Sequence, residues 1–195
     1  MVIVDAQVHL WGADTPQRPW LPDGAANAHP PVPLGMDELL RDVDAAGVDR
    51  VVTVPPSWEG DRNDLALEAA RLPPDRFAIM GRLPIEKPES RGLVDGWRRQ
   101  PGMLGVRLTF HRGPCPAIQP GDTRSGTFTG ISVVWSMPTD RAACSEARTS
   151  RDSDAPYRQA VTLFTDELDF LSSDDKEWIM GRGIAEWLGW PLPHN

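Results

Sequence analysis

The first candidates for chemistry are four polar and aromatic side chains near the amino terminus, spaced two residues apart. Asp5, Gln7, His9 and Trp11 directly follow the apolar run at residues 2–4. Because residues two apart on a β-strand point to the same face, we expect Gln7 and His9 to face together. The alternative for His9 is a buried histidine that is hydrogen-bonded at the end of a strand.

A second candidate group lies at the end of the apolar stretch 103–110. His111 follows this predicted strand, and Arg107 and Thr109 alternate with it. Enzymes built on parallel (β/α) barrels place their sites at the carboxyl ends of the strands. Arg107 and His111, together with Trp11, are therefore candidate substrate contacts, although a partly exposed histidine without a role is an equal alternative for His111. The other two histidines are interpreted as incidental: His29 and His194.

Alternating strand and helix patterns cover the first 110 residues. Strands are predicted at residues 2–4, 51–54, 77–80 and 103–110, and helices at 36–43, 65–72 and 90–100. This order implies a parallel α/β sheet with right-handed crossovers. The proline-rich stretch 12–35 is expected to be a long loop, and loops of this length are usually functional or disordered.

With these motifs and this order of elements, the sequence resembles the amidohydrolase superfamily. More specifically, it resembles the amidohydrolase-related branch, which includes metal-dependent hydrolases, lactonases and decarboxylases. The resemblance covers residues 1–111 and 157–191, and it implies a (β/α)8 barrel of the TIM type. Members carry a His-x-His pair at the end of the first strand. Here His9 matches the second histidine, and Gln7 stands where the first would be.

The resemblance implies a divalent metal, Zn²⁺ or Mn²⁺, as cofactor. His9 is then a candidate metal ligand, and Gln7 is a weaker candidate because glutamine is a poor ligand for zinc beside imidazole. Family members also carry a late strand-end aspartate, which the sequence after residue 112 does not supply. The alternative expectation is therefore that no metal binds.

The length of 195 residues is short for a closed barrel, which needs roughly 250. Four further βα units do not fit between Phe110 and Tyr157, since one βαβ unit takes roughly 30 residues. We therefore predict a partial barrel in three parts. Residues 1–112 form its first four βα units, 113–155 form an irregular segment with one strand-like run at 131–135, and 156–195 form its C-terminal helices.

The irregular segment leads to a hypothesis about the gene. Residues 144–153 can be back-translated so that a shift of one base reads V-F-G-G-A-D-L-S-R-L. This looks like the family's late strand with its catalytic aspartate. The hypothesis is an internal deletion with out-of-frame sequence before about residue 155, and the nucleotide sequence tests it.

Composition and charge restrict the classes of partner. Forty per cent hydrophobic and 25% charged residues are typical of a globular protein, and a net charge of −8 disfavours nucleic acid or an anionic membrane surface as partner. No apolar run approaches the roughly 20 residues that span a bilayer, and the amino terminus does not read as a signal peptide. Cys115 and Cys144 form no disulfide framework, so the expectation is a cytoplasmic protein with reduced thiols. The expected partner is a small-molecule substrate, and a homo-oligomer is left open.

Three functions compete at this point. The first is an amidohydrolase-type enzyme that hydrolyses a C–N or C–O bond of a small organic substrate, or a lactonase or decarboxylase of the same family. Its activity is expected to be impaired, because half of the site is not encoded. The second is a catalytically inactive, truncated remnant. The third, a flavodoxin-like domain, lacks the glycine-rich phosphate loop that such a fold needs after its first strand.

Overall fold

The computed structural model describes residues 1–22, 24–27, 33–71, 75–85, 87–108, 132–135 and 155–192. These form a parallel sheet whose strands are neighbours in the order of the sequence. The strands are β1 Val4–Val8, β2 Arg50–Thr53, β3 Phe77–Gly81, β4 Met103–Leu108 and β5 Ser132–Trp135. Within the described ranges β1 and β5 are the two edges, so this part of the chain is an open α/β sheet. The parallel sheet is confirmed, whereas a closed barrel is not shown.

Short helices connect and flank the strands. They are α1 Gly24–Asn27, α2 Met36–Ala46, α3 Asp64–Arg71, α4 Arg91–Val94, α5 Ala155–Thr162, α6 Ser173–Glu177 and α7 Gly183–Leu188. Single 3₁₀ turns occupy Ser57–Glu59, Pro88–Ser90 and Trp97–Arg99, and π-helical turns occupy Leu163–Glu167 and Trp178–Arg182. Of the helices in the described ranges, none has the length and apolar character needed to cross a membrane.

The local signals in the sequence explain most of these elements. The helix predicted over 36–43 is confirmed as α2, and it ends at Gly47, whose φ of 77° is a left-handed conformation that glycine adopts without strain. Two predictions were wrong in detail. β1 begins at Val4 instead of residue 2, because its ladder to β2 starts with the pair Val4 and Arg50.

The prediction of a single helix over residues 90–100 was also wrong. The chain forms the four-residue helix α4 between two 3₁₀ turns. Gly92 lies within α4 and Gly96 follows its end, and glycine disfavours a continuous helix by roughly 1 kcal/mol per residue relative to alanine. The segment is instead anchored by Trp97, which is buried and donates from Nε1 to the Gly105 carbonyl at 2.9 Å.

Two apolar clusters cover the opposite faces of the sheet. The larger core joins α2 and α3 to strand residues that include Val51, Phe77 and Ile79. The smaller core contains the alternate strand residues together with a residue of α7: Val4, Val52, Val54, Ala78, Met80 and Leu188. Alternation along each strand explains this division. β2 and β3 are buried along their whole lengths, as expected for parallel strands covered on both faces.

The C-terminal helices close the amino end of the sheet. A β-carbon added to Gly181 would lie 2.4 Å from the Val2 carbonyl oxygen, so only glycine allows this close approach. Arg50 donates to the Pro191 carbonyl at 2.6 Å, and its guanidinium lies 4.7 Å from the centre of the Trp190 ring. Several large apolar side chains in this C-terminal region are at least half exposed: Phe170, Trp178, Ile179 and Trp187.

Candidate functional site

His9 lies immediately after β1, at the carboxyl end of the sheet. Its Nδ1 is 2.5 Å from the main-chain oxygen of Val54, the residue that follows β2. A carbonyl oxygen only accepts hydrogen bonds, so Nδ1 must carry the proton. In the neutral ring the lone pair then resides on Nε2, which is the arrangement that a metal ligand or a general base requires. Because Val8 belongs to the larger core, the next residue, His9, lies on the opposite face.

A cluster of three tryptophans adjoins this histidine through Trp58. Trp58 meets His9 edge-to-face, with ring centroids 5.9 Å apart. Trp11 packs in the same way against Trp58 at 5.8 Å, and Trp20 lies 6.3 Å from it. Trp11 is buried, and its Nε1 has no hydrogen-bond partner within the described ranges. Trp58 restrains the His9 ring by this contact, and the three indole rings make this end of the sheet apolar.

A charge network holds the long loop after β1 against the sheet. The Glu59 carboxylate is buried. Each of its two oxygens accepts a hydrogen bond from Arg18 Nη1 at 3.0 Å. It also accepts the Gly12 backbone N–H at 2.9 Å. Arg18 makes a further ion pair with Asp64 at the start of α3. The loop is therefore ordered in this region by charge-assisted hydrogen bonds, which are the stronger class.

Arg107 lies near the carboxyl end of β4, beside the end of β3. Gly81 and Val106 pair in the parallel ladder, and Arg82 and Arg107 follow them directly on adjacent strands. Val106 and Leu108 contact the larger core, so Arg107 between them lies on the opposite face, the side on which His9 also lies. Burial, and secondarily the positive charge of Arg82, lower the pKa of Arg107. Its Nε is buried without a hydrogen-bond partner in the described part of the chain.

Gln7 and Asp5 are placed less favourably for binding an ion. The Gln7 side chain is exposed, and its backbone N–H donates to Asp5 Oδ1 at 3.0 Å. Asp5 Oδ2 accepts a hydrogen bond from the Tyr157 hydroxyl at 2.6 Å. The register between β1 and β2 shifts between Asp5 and Val8, which interrupts the strict alternation assumed for Gln7 and His9.

The described residues do not by themselves fit a divalent metal. No group of three or more histidine, cysteine, aspartate or glutamate side chains gathers there in a way that could hold an ion. A zinc site needs three or four such ligands, and only His9 among the sequence candidates is suitably placed. The metal implied by the resemblance remains a prediction, and we derive no step through it.

Several residues named from the sequence lie outside the described ranges. These are His111, Thr109, His29 and His194, together with most of the segment 113–155. The strand-like run within that segment is confirmed as β5, which pairs in parallel with β4. The boundaries at 112 and 155 and the out-of-frame hypothesis remain predictions.

Sequence reasoning missed three charged residues at this end of the sheet: Arg18, Glu59 and Arg82. Arg18 and Glu59 are separated by 41 residues, and no local periodicity links them. One signal was available for Glu59 and Trp58. Both lie within three residues of Pro56, just after the end of the second predicted strand, where a barrel site would place functional residues.

Comparisons with known proteins found a structural likeness over part of the chain. No family model matches the chain, and no curated protein matches it. Among solved structures, the chain is similar to a probable 2-pyrone-4,6-dicarboxylic acid hydrolase from Acinetobacter baumannii, crystallised with citric acid bound. The match has 23% sequence identity and a TM-score of 0.44. It covers 55% of this chain and 38% of that protein, so the chain spans well under half of the solved structure it matches.

Proposed function

We propose that this chain is an amidohydrolase-type hydrolase that binds a small organic substrate at the carboxyl end of β1–β4 and cleaves a C–N or C–O bond. The observation that carries the proposal is His9. Its ring is fixed by the bond from Nδ1 to the Val54 carbonyl and by Trp58, and the lone pair of the neutral ring is on Nε2. A nitrogen held in this way can accept a proton from water or bind an ion.

The surroundings of His9 suit a small substrate. Trp11 and Trp58 provide an apolar wall, and Arg107 lies on the same side of the sheet. Sites for small molecules typically combine such apolar walls with a few placed polar groups. The ion pair between Arg18 and Glu59 holds part of the loop after β1 at this same end.

The test is hydrolysis by the full chain of a neutral ester, a neutral lactone and a neutral amide, each with added Zn²⁺, with added Mn²⁺ and with chelator. Loss of His9 as a proton acceptor or ligand should lower the rate by about 10²-fold or more in His9→Gln. The exposed Arg91 is a matched control, and Arg91→Gln should retain the full rate. Hydrolysis that is equal in His9→Gln and the wild type, or absent from the wild type under all conditions, overturns the proposal.

A second candidate, a catalytically inactive remnant, is favoured by two observations. Within the described residues no set of metal-ligating side chains is complete, and the Asp5 carboxylate is engaged by Tyr157. Metal content and thermal unfolding of the purified chain distinguish the two. Stoichiometric Zn²⁺ or Mn²⁺ together with a cooperative unfolding transition would contradict the remnant. Release of CO₂ from a carboxylic acid would instead identify the protein as a decarboxylase.

A further inference from the structure

An extra residue interrupts the pairing of β1 with β2. The ladder pairs Asp5 with Val51, and its next pair is Val8 with Thr53. Over this stretch β1 advances by three residues while β2 advances by two. An unpaired extra residue of this kind in one strand is a β-bulge. The two residues of β1 that lie between these pairs are both exposed.

This bulge determines the side of the sheet on which His9 lies. Val4 belongs to the smaller core and Val8 to the larger one, although in an uninterrupted strand residues four apart lie on the same face. The bulge therefore reverses the alternation, and His9 lies on the face of the smaller core. Without the reversal, His9 would lie on the face that packs against α2 and α3. The interactions that hold the bulge therefore also position His9.

The Asp5 side chain stabilises the bulge from within. Its Oδ1 accepts the backbone N–H of Gln7 at 3.0 Å. Aspartate side chains form such bonds to the backbone two residues ahead, which offers the N–H an alternative to the ladder. A carboxylate acceptor makes this kind of bond stronger than a neutral acceptor does. Asp5 therefore favours the bulged form of β1 over a regular strand.

Tyr157, on the C-terminal helix α5, holds the other oxygen of the same carboxylate. Its hydroxyl donates to Asp5 Oδ2 at 2.6 Å. Tyr157 and Val161 also pack against the larger core, so the hydroxyl reaches Asp5 from a helix that has its own apolar contacts. With one donor on each oxygen, the carboxylate is restrained in the orientation that accepts the Gln7 N–H.

We propose that Asp5 and Tyr157 are positioning residues, which together hold the bulge that places His9 on its side of the sheet. The inference rests on the proposed function, because His9 is the residue that they position. Asp5 follows Val4 of the smaller core, so its side chain lies on the opposite face from His9. Neither positioning residue is therefore expected to contact substrate. The inference also couples α5 to the candidate site.

The test is nitrogen-15 NMR of the full chain with labelled histidine, which distinguishes the ring nitrogen that carries the proton. At about pH 8.5 an ordinary histidine is neutral. The His9 signals, identified by their absence in His9→Gln, should show the proton on Nδ1, because this atom donates to the Val54 carbonyl. Asp5→Ala should lose this preference. Asp5→Asn keeps an acceptor for the Gln7 N–H and should restore it.

Tyr157→Phe removes the hydroxyl and keeps the ring in the core. The His9 signals should change in the same direction as in Asp5→Ala, by a smaller amount. Ser90→Ala is the matched control, because the Ser90 hydroxyl also donates a bond of 2.6 Å, to the Pro84 carbonyl in the segment after β3. It should lower the unfolding midpoint and leave the His9 signals unchanged. A purely structural role of Tyr157 would make the two variants alike.

Hydrolysis of a neutral ester gives a second measurement. Asp5→Ala should lower kcat by about 10–100-fold, the usual effect of losing a residue that orients a functional group. KM should change little, because Asp5 does not contact substrate. Asp5→Asn should recover most of the rate.

Two results would overturn the inference. One is a set of wild-type His9 signals in Tyr157→Phe and in folded Asp5→Ala; if Asp5→Ala does not fold, Tyr157→Phe decides. The other is a change in Ser90→Ala as large as that in Tyr157→Phe, since general loosening would then be the cause.

The NMR measurement needs no turnover, so it separates this inference from the proposed function. Altered His9 signals in Asp5→Ala and Tyr157→Phe, in a chain that hydrolyses nothing, support the positioning role and contradict the hydrolase. His9-dependent hydrolysis that continues at the wild-type rate in both variants, with unchanged signals, does the reverse.

Discussion

Arg50 and Arg107 are arginines at opposite ends of the same sheet, and their guanidinium groups have different surroundings. At the amino end, the buried Arg50 donates to the Pro191 carbonyl and stacks on Trp190. Near the carboxyl end, Arg107 Nε is buried without a partner among the described residues, and Arg82 repels it. The first arrangement stabilises the fold, and the second is what a ligand site requires before its ligand arrives. Barrel enzymes divide their two ends in the same way.

Not every charge at the carboxyl end is left for a ligand. Arg18 and Glu59 satisfy each other and hold the loop after β1. The arginines at the carboxyl end are therefore predicted to fall into two classes, those that stabilise the fold and those that are available to a ligand. Replacing Arg18 should damage the fold, whereas replacing Arg107 should not.

The largest effect is expected for Arg18→Ala. Removal of the guanidinium leaves the buried Glu59 carboxylate without its main partner, which should lower the free energy of unfolding by about 3 kcal/mol. Arg18→Lys keeps the charge and should recover part of this loss. Urea denaturation measures both variants, and a change below about 1 kcal/mol in Arg18→Ala would mean that the pair does not hold the loop.

At the amino end, Gly181→Ala should destabilise by about 2 kcal/mol, because the new β-carbon would press against the Val2 carbonyl. Gly92→Ala is the matched control. A β-carbon there meets nothing within 4 Å, so its stability should be unchanged or slightly raised. Equal unfolding midpoints for the two variants in urea would show that the π-helical turn Trp178–Arg182 is not packed closely on Val2.

The smallest effect is expected at the start of α6, which leads into the helices that close the amino end. Ser172 and Asp175 form a capping box, and hydrogen bonds from Ser172 lower the pKa of Asp175. Ser172→Ala should lower Tm by about 2–4 °C at neutral pH. A lowered carboxyl pKa contributes stability above the unfolded-state pKa that is lost on protonation. The difference in Tm should therefore shrink as the pH falls through the pKa of Asp175, and a constant difference would exclude this cause.

Local patterns predicted the frame of the molecule but not the contacts that make its candidate site. The apolar spacing from Met36 to Val43 predicted α2, and the apolar runs at 51–54 and 77–80 predicted β2 and β3. These predictions were possible because burial of one or both faces of an element produces a short-range pattern of apolar residues. The proximity of Arg82 to Arg107 depends on the register of β3 and β4, which no short window of sequence specifies. The pairing of Arg18 with Glu59 likewise joins two separate loops. His9 was identified because its neighbours carried a recognisable motif.

The central claim, that the amino end of the sheet is built for stability and the carboxyl end for a ligand, is tested most directly by comparing Arg50→Gln with Arg107→Gln. Urea denaturation of the full chain without added anion gives the free energy of unfolding of each. Arg50→Gln should lower it by about 1–2 kcal/mol, because a satisfied and stacked charge is lost. Arg107→Gln should leave it unchanged or raise it, because a disfavoured charge is removed. A loss in Arg107→Gln as large as that in Arg50→Gln would contradict the account.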